Sequence, residues 1–252
     1  MSRVRLRGEG VAKRFGRIAA LRGIDFDLAP GESVAILGAN GAGKSTLLRI
    51  LAGLSRPTKG RFEALREESG GASVGLRREQ LRGEIGYVGH APLVYGELSA
   101  RENLAFAARL QGRRVTGERI DALLDELRLI DVAERRVGRF SRGMLQRLAI
   151  ARAIVHEPSV LLLDEPFTGL DEVSADRLSQ QLRSLEESGR SLVLVTHDPR
   201  RAVELTDGAL VLHRGEVVAR AARASASEPA FSAESLREEL ARLARGRAEN
   251  AA

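Results

Sequence analysis

Residues Gly38 to Ser45 read GANGAGKS and follow directly on the apolar run SVAIL, Ser33 to Leu37. The pattern G-x-x-x-x-G-K-[ST] between a strand and a helix leaves a chain few choices. Glycines let the backbone wrap an anion with successive N–H groups, and the helix that follows turns its positive end to the same point. Gly38, Ala39, Asn40, Gly41, Ala42 and Gly43 are therefore expected to cradle phosphates, with Lys44 on the β- and γ-phosphates. The Ser45 hydroxyl is expected to ligate Mg²⁺, and Thr46 follows it into the helix. A glycine-rich turn without a ligand is the competing reading, and it leaves the strand and helix flanks unexplained.

Two more apolar runs, SVLLL (Ser159–Leu163) and SLVLV (Ser191–Val195), read as buried strands. Helical patterns lie between the strands. Leu47, Ile50, Leu51 and Leu54 share one helix face that ends before Pro57, and Ile120, Leu123, Leu124 and Leu127 share another. Strands alternating with helices predict an α/β fold with a mainly parallel sheet. From about Ala91 to Glu157 no strand run stands out, so a helical insertion is expected there. Ser99 and Glu102, in SARE, are spaced to form a capping box at its start. GGASVG (Gly70–Gly75) reads as a surface loop.

The ends of the strand runs carry the chemistry. VLLLDEP ends in two acids, costly after an apolar run unless they are paired or at work. Asp164 is suited to hold Mg²⁺, and Glu165 to polarise an attacking water. The alternative is a helix start that favours acids. SLVLVTHD ends at His197, and ligands in open α/β sheets sit at the carboxyl ends of the strands. Gly38, Asp164 and His197 should thus meet on one edge, where His197 becomes a γ-phosphate contact. A second glycine-bearing helix start, FSRGMLQRLAIARAI, precedes VLLLDEP. Ser141 is a good N-cap and Gly143 permits close backbone approach, although an ordinary capped helix reads the same way.

Taken together these segments resemble the ATP-binding cassette (ABC) ATPases, the motor subunits of transporters, over about Val4 to Ala219. GANGAGKS resembles the Walker A motif, VLLLDEP Walker B, FTGLD the D-loop ending in Asp171, and VTHD the switch-histidine segment. FSRGMLQR resembles the family signature: Ser141, Gly143, Gln146 and Arg147 match it, whereas Arg142 and Met144 depart from it. RFGRIAAL resembles the segment whose aromatic, here Phe15, stacks on adenine.

The resemblance implies a P-loop NTPase core with an inserted helical signature subdomain at about 91–157, the cassette spanning 1–222. ATP and Mg²⁺ are the implied ligands. A head-to-tail homodimer or paired cassette is implied, with ATP between Walker A of one subunit and Ser141 and Gly143 of the other. Glu165 is then the general base for in-line attack by water, with His197 and Lys44 completing the catalytic set. Integral membrane subunits would be the partners, and the location the cytoplasmic face of the cell membrane.

EIGYVGHAPL departs from the pattern at its centre. Most cassettes carry a glutamine that contacts Mg²⁺ at the position of His90, and an imidazole still offers one hydrogen bond there. The stretch YVGHAPLVYGELSARENL, with its Gly-His pair, resembles the haem-exporter ATPase of cytochrome c maturation, as does SRGMLQR. That resemblance implies a chain that supplies energy and does not itself ligate haem. Another ABC exporter, of drug, lipid or polysaccharide, is the alternative. A soluble cassette acting on DNA or ribosomes would usually carry tandem cassettes or long coiled-coil insertions, and a regulator without turnover would bind nucleotide only.

Composition narrows these classes. The 252 residues carry a formal charge of +6, with 40 Lys and Arg against 34 Asp and Glu. Arginines mingle with glutamates, as in LREELARLAR, and aromatics are 4%, too few for a base-stacking platform. Nucleic acid is therefore not an expected partner. Absence of cysteine excludes disulfides and thiol chemistry. No apolar run approaches the roughly 18 residues of a membrane span, and MSRVRLRGEG has no apolar signal core, so export is not expected. At the other end, AARASASEPAFS (Ala221–Ser232) reads as a linker leading to a short amphipathic helix, and 223–252 as linker and tail helix beyond the cassette. Ser235 and Glu238 are expected to cap that helix, and Leu236, Leu240 and Leu243 to pack it on its own domain.

Overall fold

A computed structural model describes residues 3–68, 72–222 and 232–249. Two sheets and their covering helices form the fold. In chain order the first half holds β1 (Arg3–Phe15), β2 (Ile18–Leu28), β3 (Ser33–Leu37), α1 (Lys44–Leu51), β4 (Lys59–Glu67), β5 (Ser73–Gly75), α2 (Arg78–Glu84) and β6 (Ile85–Val88). Then come α3 (Ala100–Leu110), α4 (Gly117–Glu126), α5 (Arg142–Ile154), β7 (Val160–Asp164), α6 (Glu172–Glu187), β8 (Ser191–Val195), α7 (Pro199–Leu205), β9 (Gly208–His213), β10 (Glu216–Ala222) and α8 (Ala233–Glu249).

The central sheet runs β10-β9-β3-β8-β7-β6. It is parallel from β9 to β6, and β10 closes one edge antiparallel. The three apolar runs are β3, β7 and β8, and every residue of β7 and β8 is buried, as expected of parallel strands covered on both faces. Their pleat divides the core. Leu161, Leu163, Leu192 and Leu194 pack against the helices α3 to α6, while Val160, Leu162, Val193 and Val195 pack against α1 and the second sheet.

That second sheet, β2-β1-β4-β5, is antiparallel and was not legible in the strand runs. β1 and β2 alternate charged with apolar residues, and their buried set is Val4, Leu6, Val11, Leu21, Ile24, Phe26 and Leu28. The GGASVG stretch lies partly outside the described residues. Its Ser73–Gly75 portion is not a loop: it pairs with Leu65, Arg66 and Glu67 as an exposed edge strand.

The stretch from Ala91 to Glu157 holds the helices α3, α4 and α5. Ser99 and Glu102 make the reciprocal capping box, at 3.1 and 2.8 Å. Leu54 departs from expectation. α1 stops at Leu51, Gly53 takes a positive φ of 66°, and Leu54 is 48% exposed beyond the helix. In the tail, most of AARASASEPAFS lies outside the described residues. α8 packs on the central sheet through Leu236, Leu240 and Leu243, in a cluster with Leu37, Ala202 and Val211. Its cap lies a turn earlier than Ser235–Glu238: Ser232 and Ser235 exchange side-chain bonds to each other's N–H at 3.1 and 3.2 Å. No helix among the described residues is long and apolar enough to cross a membrane.

Candidate nucleotide site

The carboxyl ends of β3, β8, β7 and β6 stand side by side, and each delivers one predicted residue set. After β3 comes the phosphate loop. Gly38 has φ 145°, and a Cβ there would run into the carbonyl of Leu212. Gly43 has φ 107°, and a Cβ would lie 2.6 Å from the Ala20 carbonyl oxygen. Both positions demand glycine for space as well as for backbone conformation.

α1 starts on Gly43 with no side-chain cap and no acid in its first turn. By contrast α3, α4, α5, α6 and α7 are capped by Ser99, Thr116, Ser141, Asp171 and Asp198. The first N–H groups of α1 are thus left for a ligand. Lys44 is 7% exposed, and its ammonium donates to the carbonyls of Gly38 and Ala39 at 2.7 and 3.3 Å. Burial holds its pKa below the ordinary value, while Glu165 and Asp164 pull it back up. A buried ammonium with only carbonyl acceptors is a strong anion attractor.

β7 ends in Asp164, 5% exposed, and Glu165 follows in the left-handed region at φ 53° with its N–H on the Val195 carbonyl at 2.9 Å. A glutamate at positive φ is strained by roughly 1–3 kcal/mol, and such strain concentrates at functional sites. It turns the carboxylate out of the strand towards β8, where Oε2 lies 2.8 Å from His197 Nδ1.

These parts line one cavity of about 670 Å³, with Phe15, Asn40 to Thr46, His90, Asp164, Glu165 and His197 on its wall. Sequence reasoning missed Ile18, Ala19, Ala20 and Thr168 in that wall, since nothing in their types signals a ligand. Phe15 is 54% exposed at the mouth, with the Lys13 ammonium 5.2 Å from its ring centroid. Lys13 also donates to the Arg56 carbonyl at 2.7 Å.

Gly38 and Ala39 are not on the cavity wall; they anchor Lys44. Ser141, Gly143 and Asp171 also stand outside it. The Ser141 hydroxyl accepts from Met144 N at 3.3 Å, and Asp171 accepts from Ser174 N and Oγ at 2.9 Å each. His90 is exposed and borders a second, smaller cavity of about 260 Å³, shared with Arg142, Gln146, Asp164 and Glu165.

Among the described residues no cluster of three or more His, Asp or Glu could hold a metal by itself. Mg²⁺ needs no such cluster, because it keeps waters and is bound by one or two protein groups plus substrate phosphates. Asp164 and Ser45 flank Lys44 on the same wall and can serve in that way.

Comparison with known proteins agrees with this geometry. Residues 21–168 match the family model described as ABC transporter. The chain is 38% identical over 221 residues to the Nod factor export ATP-binding protein I of Rhizobium sp. (strain N33), covering 87% of this chain and 71% of that one. It is 38% identical over 212 residues to the sulfate/thiosulfate import ATP-binding protein CysA of Thermosynechococcus vestitus, where it spans 61% of the relative's length. A dimeric ATP-binding cassette in a post-hydrolysis state, bound to ADP and Pi, superposes with a TM-score of 0.75 at 29% identity, covering 86% of this chain and 98% of that one. The chain therefore belongs to the ABC transporter family, as one of its ATP-hydrolysing cassettes.

Proposed function

We propose that this protein is the ATP-driven motor subunit of a membrane transporter, working as a pair of cassettes. The observation that carries the reading is the single cavity into which Lys44, Asp164, Glu165 and His197 converge from three adjacent strands. Residues Asn40 to Thr46 bind the triphosphate, with Gly38 and Ala39 holding Lys44 in place, and Phe15 stacks on the base. Asp164, Ser45 and His90 hold Mg²⁺, which offsets charge on the phosphates when bound. Glu165 accepts the proton of the attacking water, and His197 keeps the carboxylate aimed. Ser141 and Gly143, outside the cavity of their own chain, are free to close over the nucleotide of a second cassette. The dimeric relative supports that arrangement. Membrane partners are the remaining part of the reading, with the cassette bound peripherally at the cytoplasmic face. Leu54, Leu93, Tyr95, Phe106 and Leu110 are exposed apolar residues on α3 and the loops beside it and β6, and they suit such a partner.

For cargo, the Gly89-His90 pair favours a haem exporter of cytochrome c maturation, with this chain supplying energy only. The relatives described above are named for Nod factor export and sulfate import, so another transport system is the second reading. Mass spectrometry of membrane proteins that co-purify with an ATP-trapped Glu165→Gln variant decides between them. Haem-handling subunits uphold the first, and an unrelated permease overturns it while leaving the ATPase reading intact.

A further inference from the structure

Arg201 sits in the first turn of α7, four residues beyond His197, with its side chain 8% exposed. A guanidinium so far removed from water needs a full set of acceptors, and it has one. Nη2 donates to Asp176 at 2.6 Å and to Glu172 at 3.3 Å, both on α6. Nη1 donates to Ser179 of α6 at 3.1 Å and to Glu204 of α7 at 3.0 Å. Its carbon lies 5.5 Å from the ring centroid of Phe167, two residues after Glu165. One side chain therefore touches three segments: α7, which follows His197 after its cap Asp198, α6, which Asp171 caps, and the loop joining Glu165 to Asp171.

The backbone carries that grip to the chemistry. Asp198 N donates to Thr196 Oγ1 at 3.1 Å, and Asp198 Oδ1 caps Arg200 N at 2.9 Å, so hydrogen bonds tie residues 196–200, on either side of Asp198, to one another. Asp171 caps α6 one residue before Glu172. Arg201 itself is not on the wall of the nucleotide cavity. Its partners lie instead on α6, on α7 and at Phe167, in the segments that follow Glu165 and His197.

We propose that Arg201 is a positioning residue for hydrolysis, clamping the His197 segment and the Glu165–Asp171 loop together so that they move as one body. The proposal rests on the ATPase reading above. Removal of the clamp lowers kcat and leaves KM for ATP in place, because binding depends on the loop before α1. A displacement of the base by about 1 Å is enough to cost roughly 100-fold, so a fall of about 10- to 100-fold is expected.

The test measures steady-state hydrolysis and amide hydrogen exchange in wild type, Arg201→Met, Arg201→Lys and the double variant Glu172→Gln/Asp176→Asn. The double variant removes the two α6 carboxylates while Arg201 keeps Glu204 and the Ser179 hydroxyl, so the buried guanidinium retains partners that Arg201→Met gives up. Support is a kcat loss in the double variant, and in Arg201→Met where it folds, with KM within about twofold, partial recovery in Arg201→Lys, and faster exchange in both 165–171 and 196–198. Wild-type kcat in a folded Arg201→Met or in the double variant, or a rise in KM alone, overturns the proposal. A wild-type protein without turnover fails the ATPase reading instead, and exchange confined to one of the two segments then overturns the clamp on its own.

Discussion

His197 Nδ1 lies 2.8 Å from Glu165 Oε2, although the two residues are 32 positions apart. The carboxylate is 17% exposed and the imidazole 71%, so the acid is sheltered and the histidine faces the cavity. Register brings them together: Asp164 pairs with Val195 across β7 and β8, which sets the next residues of both strands side by side. An amide at 165 retains a hydrogen bond to His197 but cannot accept a proton. Glu165→Gln is expected to bind ATP with near wild-type affinity, lose turnover by at least about 100-fold, and hold the paired cassettes closed. Hydrolysis rates with size-exclusion chromatography in ATP check this; near-normal turnover removes Glu165 from the role of base.

Lys44 is held by two carbonyls and by no carboxylate. Its desolvation is repaid when an anion arrives. Lys44→Ala is expected to weaken ATP binding by about 10- to 100-fold, the worth of a charge-assisted hydrogen bond of roughly 1.5–3 kcal/mol. Equilibrium binding of a fluorescent ATP analogue measures it, and unchanged affinity sinks the phosphate-loop assignment.

Three glycines of the same loop separate backbone strain from crowding. Gly41 and Gly43 both have positive φ, at 80° and 107°, yet a Cβ on Gly41 meets nothing within 4 Å while one on Gly43 strikes the Ala20 carbonyl. Gly38 is crowded like Gly43. Gly41→Ala should cost about 1 kcal/mol, and Gly43→Ala and Gly38→Ala should cost roughly 1–3 kcal/mol more, since something must move. Urea unfolding ranks them; equal losses in all three would show that crowding against β2 and β9 does not matter.

Sequence and structure agree where a segment is specified locally. The phosphate loop, the three buried strands and the Ser99 cap each follow from spacing within about ten residues. The antiparallel sheet does not: its long strands alternate arginine and glutamate with apolar residues, and β1 carries register shifts around Gly8 and Val11 that break the period. Leu54 fits the helical face of α1 in sequence, but Gly53 ends the turn before it. Lys13 and Arg201 show no pattern in the chain, because the partners that explain them, Phe15 with Arg56 and four groups on α6 and α7, are assembled only by the fold.

His156, two residues beyond α5, supplies a pH dependence. It is 4% exposed, its Nε2 is 3.1 Å from the Ile85 carbonyl, and burial holds its pKa below the ordinary 6.5. The folded protein keeps the ring neutral, so below pH 6.5 the unfolded chain binds more protons than the folded one and stability falls with pH. Above that value the group contributes no slope. Between the unfolded and folded values the loss approaches about 1.4 kcal/mol per pH unit. Replacement by glutamine keeps a donor for Ile85 and removes the titration. Wild type should therefore lose stability from pH 6.5 towards 5 more steeply than His156→Gln, whatever the offset between them at pH 7.5. Parallel unfolding profiles across that range would show that the buried ring is not the group that titrates.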